Sequence, residues 1–424
     1  MSDVPPQRRP WLALQVTLAA QVMASFVMSV APILAPAVAP ALGLAPEQVG
    51  FFVGGVYAVA MVAGLSSGPL VARFGAGRVT QGVLVVIAAG TMLGAIGQPL
   101  ILFGLAAGLI GLGYGTVNPA AADILGRHAP PGAPGLFFSL KQTGVPIGVG
   151  LAGLLMPLGL GLVGWRGAAW AVAFACLLLA LALGPAVSRL DGADRTRTQA
   201  PDGPGGLSNL LAVLRHPPLR ALSLVTCVYA LAQQGFLTFV VARLYLELGL
   251  SLALAAGLLA ASQVACVVAR ITLGHVADRW VSPRVLLSVM GLCMALNCLA
   301  LGLLPRDASF AVITMVVIAC GATTMGWNGV FFAQLLRTVP REDLVASSGG
   351  TQFFIFFGGM LGPVLFSALV QQGGSHALGY LFLAGVTALA ALAMLRTPAD
   401  AAVTIPLPNH GAGESEMTIS SDCF

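Results

Sequence analysis

The sequence predicts an all-α membrane protein: twelve transmembrane helices in two pseudo-symmetric six-helix halves. Three observations predict it. Of 424 residues, 58% are hydrophobic and 8% charged, and mean hydropathy is +0.93. A soluble chain carries about 25% charged residues, so a soluble enzyme, a nucleic-acid-binding domain and a disordered chain are excluded. Twelve apolar runs reach the length, about 20 residues, that crosses a bilayer. Finally, one half of the chain echoes the other at a nearly constant offset.

The runs cover roughly 12–40, 49–71, 79–97, 100–124, 136–164 and 167–187, then 219–246, 252–276, 284–304, 308–334, 345–371 and 377–396. The first holds Pro32, Pro36 and Pro40, so its last third is expected to bend or break. Arg8 and Arg9 ahead of it mimic a signal peptide, but the run is too long for one and no cleavage is expected. A polar stretch with a short amphipathic piece, Leu207 to Leu214, separates runs six and seven. The predicted organisation is a first bundle over 1–187, a linker with a surface helix over 188–218, a second bundle over 219–396 and a disordered cytoplasmic tail over 397–424.

Gly43-Leu44 and Gly249-Leu250, Gly68 and Gly274, and Arg78 and Arg284 stand at one offset. Asn118 and Asn328, Arg127 and Arg337, Gln142 and Gln352, and Gly148 and Gly358 stand at another, four residues longer. A shared offset implies duplication, the architecture of many secondary transporters. With the N-terminus inside, fifteen arginines fall on inner segments, and only Arg166, Arg243 and Arg306 fall outside. That bias places both termini in the cytoplasm. The expected location is a bacterial-type inner membrane, crossed many times.

The loop after run two reads Gly68-Pro69-Leu70-Val71-Ala72-Arg73-Phe74-Gly75-Ala76-Gly77-Arg78. The loop after run eight reads Gly274-His275-Val276-Ala277-Asp278-Arg279-Trp280-Val281-Ser282-Pro283-Arg284. Twelve spans with these two loops resemble the major facilitator superfamily, whose signature G-x-x-x-D-R-x-G-R-R sits in these places. The resemblance implies that fold, and a charge network at Gly68, Arg73, Arg78, Gly274, Asp278, Arg279 and Arg284 that latches the halves outward-open. Ala72 replaces the acid in the first copy, which leaves Asp278 as the one acid of the pattern. Gly164-Trp165-Arg166 adds to the likeness. The Leu140-Lys141-Gln142-Thr143-Gly144 stretch is loosely similar to bacterial cyanate, nitrate and small organic anion carriers.

Lys141 is the single lysine. It lies about six residues into run five, roughly 9 Å deep, and a charge inside a span is expensive and marks a functional site by default. It reads either as a cationic contact for an anionic substrate or as the partner of Asp123. Asp123 has a second candidate partner in Arg127, four residues on. As the one acid placed inside a span, Asp123 is the proton-coupling candidate. Asn118, Gln142, Asn328 and Gln352 form a layer of amides at similar depth, read either as a solute site between the halves or as interhelical hydrogen bonds. Gln21, Gln233 and Gln234 are further substrate-binding candidates, on spans that the resemblance implies line the cavity. Arg270 reads either as a contact for an anion or, chiefly, as a residue near the inner end that binds helix-terminal carbonyls or the motif loop, and Arg243 with Glu247 as an i,i+4 pair.

Two pattern matches fail on context. Gly148–Gly153 fits G-x-G-x-x-G and Gly64–Gly68 fits G-x-S-x-G, yet neither follows a strand. Both read as small faces for close helix packing. The seven cysteines show no C-x-x-C pair, and no histidine is mid-span, so no metal, cofactor or histidine relay is expected. The expected function is secondary active transport of a small solute, an anion by the Lys141 reading, by alternating access and with protons as the candidate coupling ion. The expected partners are that solute and the lipid bilayer, with no nucleic acid, around a monomer. The alternatives are efflux of a hydrophobic drug or metabolite and a transport-dead sensor. No catalytic constellation survives inspection.

Overall fold

In a computed structural model of the chain, residues 8–130, 134–191, 206–339 and 344–396 are described. Every regular element among them is helical: α1 Pro10–Val38, α2 Val49–Phe74, α3 Ala76–Ile96, α4 Ile101–His128, α5 Pro134–Gln142, α6 Gly144–Ala182 and α7 Gly184–Asp191, then α8 Gly206–Arg215, α9 Pro217–Ala242, α10 Leu252–Arg279, α11 Pro283–Leu303, α12 Phe310–Thr338, α13 Leu344–Gly373 and α14 His376–Arg396. The starts follow local rules. Pro10 and Pro217 open α1 and α9, where a missing N–H costs nothing. Ser251, Ser282 and Ser309 cap α10, α11 and α12, each accepting from the amide three residues on.

Eleven helical stretches are long and apolar enough to cross a membrane. The fifth, Leu136–Ala182, is 47 residues long. At about 1.5 Å per residue it would run roughly 70 Å, more than twice the about 30 Å of a hydrocarbon core. It is interrupted at Gly164, whose φ of 70° and ψ of 170° only glycine adopts freely. The break falls at the end of the first of the two runs read in the sequence, 136–164 and 167–187. In α1 the helix continues past Pro32 and Pro36 to Val38 and only then tightens into a 3₁₀ turn, Ala39–Leu42, that contains Pro40. The amphipathic piece of the linker is α8, which lies against α9 and α13. The predicted tail lies outside the described residues, as does the linker from 192 to 205.

The packing repeats in order. α1 packs on α6, α2 on α4, α3 on α4 and α3 on α6; α9 packs on α13, α10 on α12, α11 on α12 and α11 on α14. α2 meets α13, α6 meets α10 and α1 meets α9 across the two sets. Glycine makes the tightest contacts. A Cβ on Gly148 would stand 2.9 Å from Phe26 N on α1, and one on Gly358 would stand 3.1 Å from Cys227 Cα on α9. These two residues share the longer offset, so the repeat seen in sequence is a repeat in packing. One main core contains Tyr229, Phe236, Phe239, Trp327, Phe366 and Tyr380.

Loops cluster at two ends. At the end bearing the termini, Arg8 Nη1 donates to Ala129 O at 3.1 Å and Arg337 Nη2 to Ala277 O at 3.3 Å. There the first signature loop holds a surprise. Asp191, at the end of α7, accepts from Gly77 N at 3.0 Å and Arg78 N at 2.9 Å. A carboxylate from elsewhere in the chain thus caps α3 beside the loop where Ala72 replaces the acid. Asp191→Ala is expected to cost about 1 kcal/mol, read as a lower thermal midpoint and faster amide exchange at residues 77–80.

At the opposite end, a π-helical turn, Arg243–Glu247, follows α9. The predicted Arg243–Glu247 pair forms, but it is one part of a larger cluster. Glu247 also accepts from His376 N at 2.6 Å and Ser375 Oγ at 3.1 Å, and its Oε1 lies 2.6 Å from His376 Nδ1. Arg243 Nη2 donates to Gly302 O at 3.1 Å and Leu304 O at 3.0 Å, and Arg306 Nε donates to Glu247 O at 3.0 Å. Arg243 and Glu247 together tie the turn after α9 to α11, through Gly302, and to α14, through His376. Glu247→Gln is expected to lower stability by about 2 kcal/mol, read by thermal unfolding, because buried Arg243 loses its counter-charge.

Candidate functional site

The site begins with a break in the helix. Thr143 separates α5 from α6, and Pro146 follows four residues after Gln142. Proline has no N–H, so the Gln142 carbonyl has no i+4 donor. The chain is therefore opened just after the last turn of α5, which carries Lys141.

Lys141 is 3% exposed. Its ammonium donates to Gln21 Oε1 on α1 at 2.6 Å, to Asn118 Oδ1 on α4, and to Gln142 Oε1 at 3.3 Å. All three partners are neutral amides, and they match the three donors of an ammonium group. Gln21, 2% exposed, also donates to Ser25 Oγ at 3.2 Å.

The orphaned Gln142 carbonyl has a donor from the other half of the chain. Arg270 Nη1, on α10, reaches it at 3.0 Å. Arg270 Nε donates to Met325 O on α12 at 3.1 Å. Asn328 Nδ2 shares that carbonyl at 3.2 Å and donates to Gln233 Oε1 on α9 at 3.3 Å. A continuous polar belt results, running Gln21, Lys141 with Asn118, Gln142, Arg270, Met325 O, Asn328 and Gln233. It crosses from one half of the chain to the other at mid-depth.

Six of the eight residues singled out for binding stand on this belt. Gln352 and Gln234 do not; both are half-buried and make no hydrogen bond. Asp123 is also apart, because it pairs with Arg127 and not with Lys141. Four residues along one helix bring the two together without tertiary help, while Lys141 is saturated by amides. Of the latch residues, Gly68 and Arg73 lie near the end of α2 and Arg78 at the start of α3; both arginines are exposed, and Arg73 stacks on Phe74 at 5.2 Å. Arg284 is the second residue of α11. Gly274, Asp278 and Arg279 fall in the last turns of α10, and their side chains lie outside the described residues.

The sequence left Arg270 as an anion contact or a partner of carbonyls near the inner end; the structure bonds it to two main-chain carbonyls, Met325 O and Gln142 O. The available signal was Pro146, which frees the carbonyl that Arg270 takes. Sequence reasoning missed an aromatic cluster beside the belt. Tyr57 on α2 and Tyr114 on α4 meet edge-on at 5.7 Å, and Phe356 on α13 lies 6.0 Å and 6.3 Å from them. Among the described residues no cluster could hold a metal ion.

The arrangement offers a buried ammonium, a guanidinium and a set of amides. A family model for the Major Facilitator Superfamily matches residues 17–359. Solved structures of a bacterial homologue of the human lysosomal transporter Spinster share the fold. Its inward-facing unoccupied form is 15% identical at a TM-score of 0.68, covering 92% of this chain and 96% of that one. Its inward-facing occupied form has the same identity and TM-score, covering 90% and 94%. No curated protein sequence matches the chain.

Proposed function

Starting from the chain's membership of the Major Facilitator Superfamily, which makes it a multi-pass membrane transporter and not an enzyme, we propose that it carries a small anion by alternating access. The observation that carries this reading is Lys141: buried, and bonded only to neutral amides. A buried ammonium without a counter-ion is costly, and an anionic solute at the same place removes that cost.

The rest of the proposal follows. The 47-residue stretch is two spans folded at Gly164, giving twelve crossings. The repeated packing order supports two six-helix bundles, 1–187 and 219–396, joined by the linker 188–218. Rocking of the bundles exposes the belt to one side at a time. Arginine bias puts both termini in the cytoplasm of a bacterial-type inner membrane. The carrier works as a monomer, and protons drive import as co-substrate. Asp123, 40% exposed at its side chain, is the acid that exchanges them.

The test is uptake of labelled small anions into proteoliposomes under an imposed pH gradient, with wild type and Asp123→Asn. Gradient-driven uptake of one anion, uncoupled from the gradient in Asp123→Asn, is the expected result. Uptake of no anion would leave efflux of a hydrophobic compound as the reading. Gradient-driven uptake that persists in Asp123→Asn would move the coupling elsewhere.

A further inference from the structure

The polar belt holds two cations, and no described carboxylate touches either. Lys141 donates only to amide oxygens, and the hydrogen bonds of Arg270 go to main-chain carbonyls. The acid that shares α4 with Asn118, Asp123, is taken by Arg127. A single monovalent anion would therefore leave one buried positive charge uncompensated, which is costly.

Resting on the anion reading above, we propose that the substrate is an organic dianion of the dicarboxylate class, held by Lys141 and Arg270 together. Gln142 shows where the two carboxylates sit. Its side-chain oxygen accepts from Lys141 at 3.3 Å, and its main-chain oxygen accepts from Arg270 at 3.0 Å. One residue thus satisfies both cations with neutral acceptors. Carboxylates are stronger acceptors for the same donors, and a guanidinium fork fits a carboxylate with two parallel bonds. Each end of the substrate displaces one oxygen of Gln142.

Two consequences follow. Lys141 belongs to α5 and Arg270 to α10, so a substrate held at both ends replaces a direct bond between the halves with a bridge between them. Tyr114 stands one turn before Asn118 on α4, and its ring meets Tyr57 at 5.7 Å and Phe356 at 6.3 Å. That wall suits a carbon body between the charges, not a bare inorganic dianion.

The experiment is equilibrium binding of succinate, propionate and sulfate to the purified full-length protein in nanodiscs, by calorimetry. Wild type, Lys141→Gln, Arg270→Gln and Arg270→Lys are compared. Wild type is expected to bind succinate at least about tenfold more tightly than propionate, one further charge-assisted contact being worth that much. Sulfate should bind more weakly than succinate. Arg270→Gln is expected to erase the preference by weakening succinate alone, and Arg270→Lys to restore part of it. That rescue separates a substrate contact from a merely structural bond to Gln142. Propionate binding as tightly as succinate overturns the proposal, as does an Arg270→Gln effect equal on both. Sulfate binding as well as succinate overturns the organic body. If Lys141→Gln binds all three as wild type does, or if wild type binds none, the anion reading falls and this inference with it. An Arg270→Gln protein that does not fold leaves the wild-type preference and Arg270→Lys to decide.

Discussion

Lys141→Ala is expected to lower the initial rate of anion uptake about a hundredfold or more while the protein still reconstitutes. The magnitude follows from the contacts. A charge-assisted hydrogen bond is worth about 1.5–3 kcal/mol, and a factor of 10 in rate corresponds to about 1.4 kcal/mol. Loss of the ammonium removes the long-range attraction as well as the bond. The fold should tolerate the change better than transport does. The variant removes a buried charge, and the partners left behind, Gln21, Asn118 and Gln142, are neutral amides. Of these, Gln21 keeps a second bond, to Ser25. The check is uptake normalised to reconstituted protein, beside thermal midpoints of both forms. Transport equal to wild type would make Lys141 a structural residue.

The second large effect is on stability. Gly148→Val and Gly358→Val are each expected to cost about 3 kcal/mol or more, enough to remove folded protein from the membrane fraction. The neighbours are backbone and cannot give way. A Cβ at Gly148 would lie 2.9 Å from Phe26 N and closer still to Val22 O. At Gly358 it would lie 2.8 Å from Cys227 C and closer to Cys227 O. Gly104 and Gly108, with nothing within 4 Å, are the controls, where alanine should be neutral or mildly stabilising, since it is the better helix former. Similar losses at 148 and 358, measured by fluorescence-detected size exclusion after heating, would show that the duplicated helices pack alike.

Much of this was legible in the sequence because membranes simplify the code. Apolar run length gave the spans, and the offset pairs gave the packing symmetry that Gly148 and Gly358 display. Depth along each span placed Asn118, Lys141, Gln142, Asn328 and Gln352 in one layer, since helical rise converts residue count into height. Gln21, Gln233 and Gln234 came in only through the resemblance, which implies that their spans line the cavity. Direction around the helix was harder. Gln352 has suitable height but lies off the belt. Asp123 had two partners at plausible range, and only the structure shows that Arg127 holds it. The Glu247 cluster joins residues 129 apart in sequence, a relation that no local pattern encodes. Arg270 was noticed, yet its role depends on a carbonyl freed by Pro146 on a different helix.

The contact of α2 with α13 has a mechanical meaning. Gly50 faces Pro363 and Phe239, Gly54 faces Val364, and Gly359 faces the ring of Tyr57. At each of these points one partner is a glycine, so no side chain there interlocks with another. Among the described residues, the Ser367 hydroxyl donates to the Glu47 carbonyl, two residues ahead of α2. Such a surface behaves as a plain bearing. Parting it exposes a modest apolar area and breaks few polar bonds, and no rotamer has to change before the surfaces separate. On the alternating-access reading proposed above, friction at the joint is low, and the energy difference between its two positions is left to what sits on the polar belt.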